Sequence, residues 1–131
     1  MIDHTGFSVT HLENSKLFYT RVLASLGYIP RLEIPGEAVG FGPAKPNEGA
    51  DPGGAFWITQ GMPSTPRMHL AFSAKSKEEV DAFYSIALQV GGKDNGAPGY
   101  RPQYHYGYYA TFILDPDGYN IEAVYHEPDN D

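Results

Sequence analysis

Hydrophobic and polar positions alternate with period two at the start of the chain. In "HTGFSV", His4, Gly6 and Ser8 fall on one face of an extended strand, and Thr5, Phe7 and Val9 on the other. The period then lengthens to that of a helix. Leu17, Phe18, Val22 and Leu26 form an apolar stripe, and Gly27 stands where a helix would end. The same succession returns at His69, where His69, Ala71 and Ser73 alternate with Leu70 and Phe72. Ser76 and Glu79 have capping-box spacing, and Val80, Phe83, Tyr84, Ala87 and Leu88 recur at helical intervals up to Gly92. Each apolar strand face is expected to pack on the helix that follows it.

The two stretches are copies. His4 to Gly27 aligns with His69 to Gly92 without a gap at a constant offset of 65, and matches His4 with His69, Phe7 with Phe72, Tyr19 with Tyr84 and Gly27 with Gly92. Shorter strand-like runs follow each helix. They are "YIPRLEI", "AVGFG" and "GAFWITQ" in the first half, with an exposed Pro- and Gly-rich loop, then "GKDN", "YYATFIL" and "YNIEAVYH" in the second. These patterns predict an α+β fold of two tandem βαβββ modules, about residues 1–62 and 66–127. The length of 131 residues suits a single domain. "DPDG" at Asp115 to Gly118 is favourable turn chemistry, and a four-residue loop there sets Thr111 opposite Glu122. Tyr109, Ile113, Asn120 and Val124 then share a face with Glu122.

Composition narrows the function. A formal charge of −7, with nine scattered Lys and Arg residues, disfavours nucleic acid and anionic membrane surfaces as partners and leaves a small molecule or another protein. Without cysteine there is neither a disulfide framework nor a thiolate metal site, so any metal must be held by His and carboxylate. No apolar run is long enough to span a bilayer and "MIDHTGFSV" has no signal-peptide features, so the expected location is cytoplasmic. The end of the chain, "HEPDND", reads as a short acidic tail.

Two features suggest chemistry. "YRPQYHYGYY" (Tyr100 to Tyr109) puts five tyrosines and a histidine into ten residues, which suits a pocket wall or an interface. Glu122 interrupts an apolar strand, where a lone carboxylate is costly unless a cation or hydrogen bonds compensate. His4 and His69 hold matching positions in the two modules. A cup closed by both would join His4, His69 and Glu122 into a two-His, one-carboxylate site for Fe(II), Mn, Ni, Zn or Co. Arg67 shares a face with His69 and is placed to clamp a substrate carboxylate, with Arg101 as a second cation and Trp57 as core or pocket wall.

Taken together, "IDHTGFSV", "MHLAFSA" and "DPDGYNIEAV" resemble the vicinal oxygen chelate superfamily of glyoxalase I, extradiol dioxygenases, and fosfomycin- and bleomycin-resistance proteins. The resemblance covers nearly the whole chain. It implies curved mixed sheets around a cup, a divalent metal held there by His4, His69 and Glu122, chelation of vicinal substrate oxygens, and a homodimer, with the cup formed either within one chain or between modules of two. Within that frame Tyr109 is expected to donate a hydrogen bond at the metal and His105 to act as general acid or base. Tyr104 and Tyr106 border the substrate's approach. The chain also departs from particular members. Glyoxalase I has a fourth ligand, a Glu, where the offset of 65 gives Trp57 here. The second-sphere His and Tyr of extradiol dioxygenases and the cationic cluster of fosfomycin-resistance proteins have no counterpart, and His11 begins the first helix where Asp is common. The classes left open are a glyoxalase-like lyase or isomerase, an Fe(II) dioxygenase, and a metal-free drug-binding protein.

Overall fold

Phe7, Val9 and Phe72 are buried, so the apolar face of each opening strand is covered, as its alternation predicts. The computed structural model describes residues 1–129; Asn130 and Asp131, the end of the expected acidic tail, lie outside the described residues. The first module comprises β1 (Thr5–Val9), α1 (Leu12–Ala24), β2 (Tyr28–Ile34), β3 (Ala38–Pro43) and β4 (Phe56–Gln60). The second comprises β5 (His69–Ser73), α2 (Lys77–Gln89), β6 (Lys93–Asp94), β7 (Gly99–Tyr100), β8 (Tyr108–Leu114) and β9 (Asn120–His126). The single strand expected at "GKDN" is therefore followed by a further two-residue strand.

The internal repeat extends to strand pairing. Sheet order is β1-β4-β3-β2 in one module and β5-β9-β8-β6 in the other, with β7 added beside β8. β1 runs parallel to β4 with Thr5 on Phe56, and 65 residues on, Leu70 lies on Ile121 in the parallel pair of β5 and β9. Gly6 therefore pairs with Trp57 as Ala71 pairs with Glu122. Trp57 and Glu122 are structural equivalents.

The helix ends differ between the copies. Ser76 caps α2 by accepting a hydrogen bond from the Glu79 N–H at 3.1 Å, and the Glu79 carboxylate in turn accepts one from the Lys75 N–H at 2.7 Å. At the N-cap of α1, His11 makes no side-chain capping bond. Gly27 adopts the left-handed conformation expected after a helix, whereas in the copy Gly91 does so in place of Gly92. Gly92 serves packing, since a Cβ there would lie 2.8 Å from the Ala87 carbonyl oxygen and 2.9 Å from the Ile113 side chain.

Aromatic residues of both halves form one core. Phe7 stacks on Tyr119 at 3.7 Å, and Phe56 meets Phe72 edge-on at 5.1 Å. The Tyr119 hydroxyl donates to the Ser8 carbonyl at 2.6 Å, and Tyr19 donates to the buried Asp115 at 2.5 Å. Burial raises the Asp115 pKa, opposed by hydrogen bonds from Tyr19 and from the Tyr119 and Asp117 N–H groups.

The expected metal cup is not formed. Each sheet is open, running from one edge strand to another rather than closing on itself. Among the described residues, the only group of three or more His or carboxylate side chains gathered closely enough to hold an ion is Asp3, His4 and Asp51, all exposed. That group leaves out His69 and Glu122, so the chain does not gather His4, His69 and Glu122 around one metal. The apolar faces of both sheets are spent on the shared core and helices, which leaves the two histidine-bearing faces to solvent as separate surfaces.

Candidate functional site

Glu122 lies in the middle of β9 and is only 2 % exposed, so its charge must be compensated locally. Its Oε1 lies 3.0 Å from His69 Nε2, and its Oε2 accepts a short hydrogen bond from the Tyr108 hydroxyl. His69 Nδ1 lies 2.8 Å from the Asn120 carbonyl oxygen. A carbonyl only accepts, so Nδ1 carries the proton, and in a neutral imidazole Nε2 then turns its lone pair toward the carboxylate. Two electron-rich atoms at that separation require a cation between them, either a proton on Nε2 or a metal ion.

The register of the β8–β9 hairpin decides which tyrosine reaches this carboxylate. Leu114 pairs with Asn120, so the loop spans five residues, and Phe112 rather than Thr111 stands opposite Glu122. The expected four-residue loop fails because Asp115 turns inward and accepts the Asp117 and Tyr119 N–H groups, both at 2.9 Å, while the Tyr119 ring enters the core. A shift of one residue moves every side chain to the other face. Tyr109 consequently points away from Glu122 and donates to Asp81 on α2 at 2.7 Å. Tyr108, which the sequence analysis missed, takes its place. Desolvation and then the hydrogen bond to Glu122 push the Tyr108 phenol far above its ordinary range.

The tyrosine run divides between the two faces. Tyr104 packs on Tyr108 at 4.9 Å, and His105 meets the edge of the same ring at 5.3 Å. His105 Nδ1 contacts the Tyr106 carbonyl at 2.7 Å, and His105 Nε2 lies 3.0 Å from His126 Nδ1. Tyr108 is thus held between Tyr104 and a histidine pair. Tyr106 is largely exposed and borders a separate recess with Tyr100, Pro102 and Glu127. Tyr100 lies on the Tyr109 side, where Lys77 donates to its hydroxyl at 2.9 Å.

The remaining expected site residues separate further. Arg67 donates to the Asp117 carbonyl at 2.8 Å and the Ser64 carbonyl at 2.5 Å, tying the inter-module linker to the hairpin turn, so its guanidinium acts as a staple rather than a clamp. Arg101 lies over Phe112 at 5.5 Å from the ring centre, on the Glu122 face. On the other sheet, His4 and Trp57 line a shallow recess with Asp51. The Trp57 indole donates to the Gly54 carbonyl at 3.1 Å and covers Gly40, where a Cβ would fall 2.6 Å from the ring. Asp3 accepts from His4 Nδ1 at 2.6 Å, and this bond, foremost, raises the His4 pKa.

The chain is thus a pair of repeated modules, with a His–Glu–Tyr cluster on one sheet and a histidine at the matching place on the other. The model of the Glyoxalase/Bleomycin resistance protein/Dioxygenase superfamily matches residues 1–123. The chain belongs to this superfamily. Among solved structures it is similar to a glyoxalase/bleomycin resistance protein from Albidiferax ferrireducens, at 28% identity and a TM-score of 0.74, over 96% of this chain and 98% of that one. Two further solved structures share the fold. A lactoylglutathione lyase from Agrobacterium tumefaciens has 20% identity and a TM-score of 0.66, covering 95% and 92% of the two chains. A fosfomycin resistance protein from Listeria monocytogenes has 18% identity and a TM-score of 0.67, covering 97% and 93%. No curated protein matches the chain. Among the described residues, no helix is long and apolar enough to cross a membrane.

Proposed function

We propose that the protein is a divalent-metal-dependent enzyme of the glyoxalase-like lyase or isomerase type, acting on a small oxygen-rich substrate. The observation that carries this reading is the demand for a cation between His69 and Glu122. Adjacent ligands of a first-row divalent ion lie about 3 Å apart, which is the separation of His69 Nε2 and Glu122 Oε1. The Asn120 carbonyl orients the imidazole as an outer partner orients a metal ligand. The donor set of imidazole and carboxylate suits Zn, Ni, Mn, Fe(II) or Co. His69 and Glu122 of one chain supply two ligands, and His4 of a second copy supplies the third. This sharing accounts for two histidine-bearing faces that stay apart within the chain.

When bound there, a divalent ion polarises vicinal oxygens of a substrate and stabilises the negative charge that develops on them. The chain's own residues do the rest. Glu122 takes a proton from a substrate carbon and returns it to the neighbouring one, and Tyr108 holds Oε2 so that the carboxylate keeps its direction. Tyr104 forms a wall of the site with Tyr108, and His105 holds the Tyr108 ring in place from the sheet edge.

Elemental analysis of protein purified without a chelating tag tests the proposal. About one metal ion per chain is expected for the native protein, with almost none in the His69→Ala, Glu122→Gln variant. If the native protein takes up none of the five ions, the enzyme reading falls, and the tyrosine-walled face becomes a metal-free ligand site.

A further inference from the structure

Arg101 is half-buried in a chain with a net charge of −7, and no carboxylate pairs with it among the described residues. Its place is built. The Arg101 N–H donates to the Tyr108 carbonyl at 2.7 Å, while the preceding loop is held to β8 by Asn95 N–H to the Phe112 carbonyl at 3.0 Å and Phe112 N–H to the Gly96 carbonyl at 2.9 Å. Two glycines open the slot in which the guanidinium rests. A Cβ on Gly96 would lie 3.3 Å from Arg101 Nη2 and 3.0 Å from the Phe112 ring, and one on Gly99 would lie 3.2 Å from Nη1. Gly96 also has a φ of +149°, so both backbone and space favour glycine there. Among the described residues only Nη2 of the guanidinium makes a hydrogen bond, to the Ala97 carbonyl at 2.8 Å.

The guanidinium shares the Phe112 ring with His69, whose centroid is 6.1 Å from that of Phe112. A cation fixed beside the reacting face, with donors to spare and no counter-ion among the described residues, is complementary to an anionic group brought by the ligand. Resting on the metal site proposed above, we propose that the substrate is a carboxylate anion: its vicinal oxygens address His69 and Glu122, and its carboxylate pairs with Arg101. The expected clamp at Arg67 is spent on backbone carbonyls, which leaves Arg101 in this role.

Two probes isolate the carboxylate, because 3,4-dihydroxybenzoate and catechol share the vicinal oxygens and differ only in that group. Binding is measured by anaerobic calorimetry on Co(II)-loaded and on chelator-treated protein, native and Arg101→Gln. Native protein is expected to prefer dihydroxybenzoate by about tenfold or more, as a charge-assisted contact provides. Arg101→Gln should reduce that preference to about twofold or less and leave catechol affinity and metal content unchanged, with Arg101→Lys between the two. Unchanged catechol affinity also shows that the variant is folded. The proposal is overturned if the native protein shows no preference, if the preference survives Arg101→Gln, or if loaded native protein fails to bind dihydroxybenzoate at millimolar concentration. Failure of the metal reading shows differently, as equal affinities with and without Co(II), and the effect of Arg101 is then read from the chelator-treated titrations.

Discussion

At the scale of the residue, the two neighbours Tyr108 and Tyr109 separate function from stability. Tyr108 bonds Glu122 and Tyr109 bonds Asp81 on the opposite face. Tyr108→Phe leaves one oxygen of a buried carboxylate without its donor, and turnover of an identified substrate is expected to fall by about tenfold to a hundredfold. Tyr109→Phe should keep full turnover and lose about 1 kcal/mol of stability. Equal activity losses in both variants, measured by steady-state kinetics, would contradict the hairpin register. The Tyr109 phenol is pushed up to about 12, first by its hydrogen bond to Asp81 and then by burial. An unfolded chain loses that proton near pH 10. Between these values the folded state binds more protons than the unfolded one, so stability falls as pH rises. The contribution is complete below about pH 10 and disappears as pH rises through about 12. Urea unfolding across this window should show a steeper alkaline decline in the native protein than in Tyr109→Phe.

At the scale of the element, most of the secondary structure was legible because the helices and the opening strands bury one face, and the spacing of apolar residues reports that face. Both helices and the opening strands follow the period of their buried residues. Turn geometry was less legible. "DPDG" signals a turn, but the burial of Asp115 and Tyr119 made it one residue longer than turn chemistry implies. Helix caps give a direct comparison of the two copies. Ser76→Ala is expected to cost about 1 kcal/mol by removing the acceptor for the Glu79 N–H. His11→Asp should stabilise by about 0.5 to 1 kcal/mol, because His11 makes no capping bond and a carboxylate suits a helix N-terminus. Denaturant midpoints of the two variants check both, and a destabilising His11→Asp would show that His11 has an unrecognised partner.

At the scale of the whole molecule, the separation of His4 from His69 and Glu122 leads to a prediction about copies of the chain. If each site draws His4 from one copy and His69 and Glu122 from another, His4→Ala and Glu122→Gln homodimers both lack a complete site. A hybrid of the two variants regains one complete site. Refolding an equal mixture is expected to restore about a quarter of native metal binding, the statistical share of complete sites in random symmetric pairs. Metal content of the mixture against each variant alone measures this. No recovery, or a protein that light scattering finds monomeric at micromolar concentration, would reject a shared site.

The sequence by itself determined the repeat, the succession of elements apart from the two-residue β7, and the equivalence of His4 with His69 and of Trp57 with Glu122. These follow from periodicity and a constant offset, which survive any arrangement of the modules. Only the tertiary structure decided which side chains meet. Tyr108 rather than Tyr109 faces Glu122 because a buried aspartate lengthened one turn. Arg67 staples a turn through two backbone carbonyls, whereas Arg101 bonds one and, among the described residues, meets no carboxylate on the Glu122 face. His4 and His69 stand apart because a shared aromatic core claims the apolar faces of both sheets and leaves each histidine on its own open face.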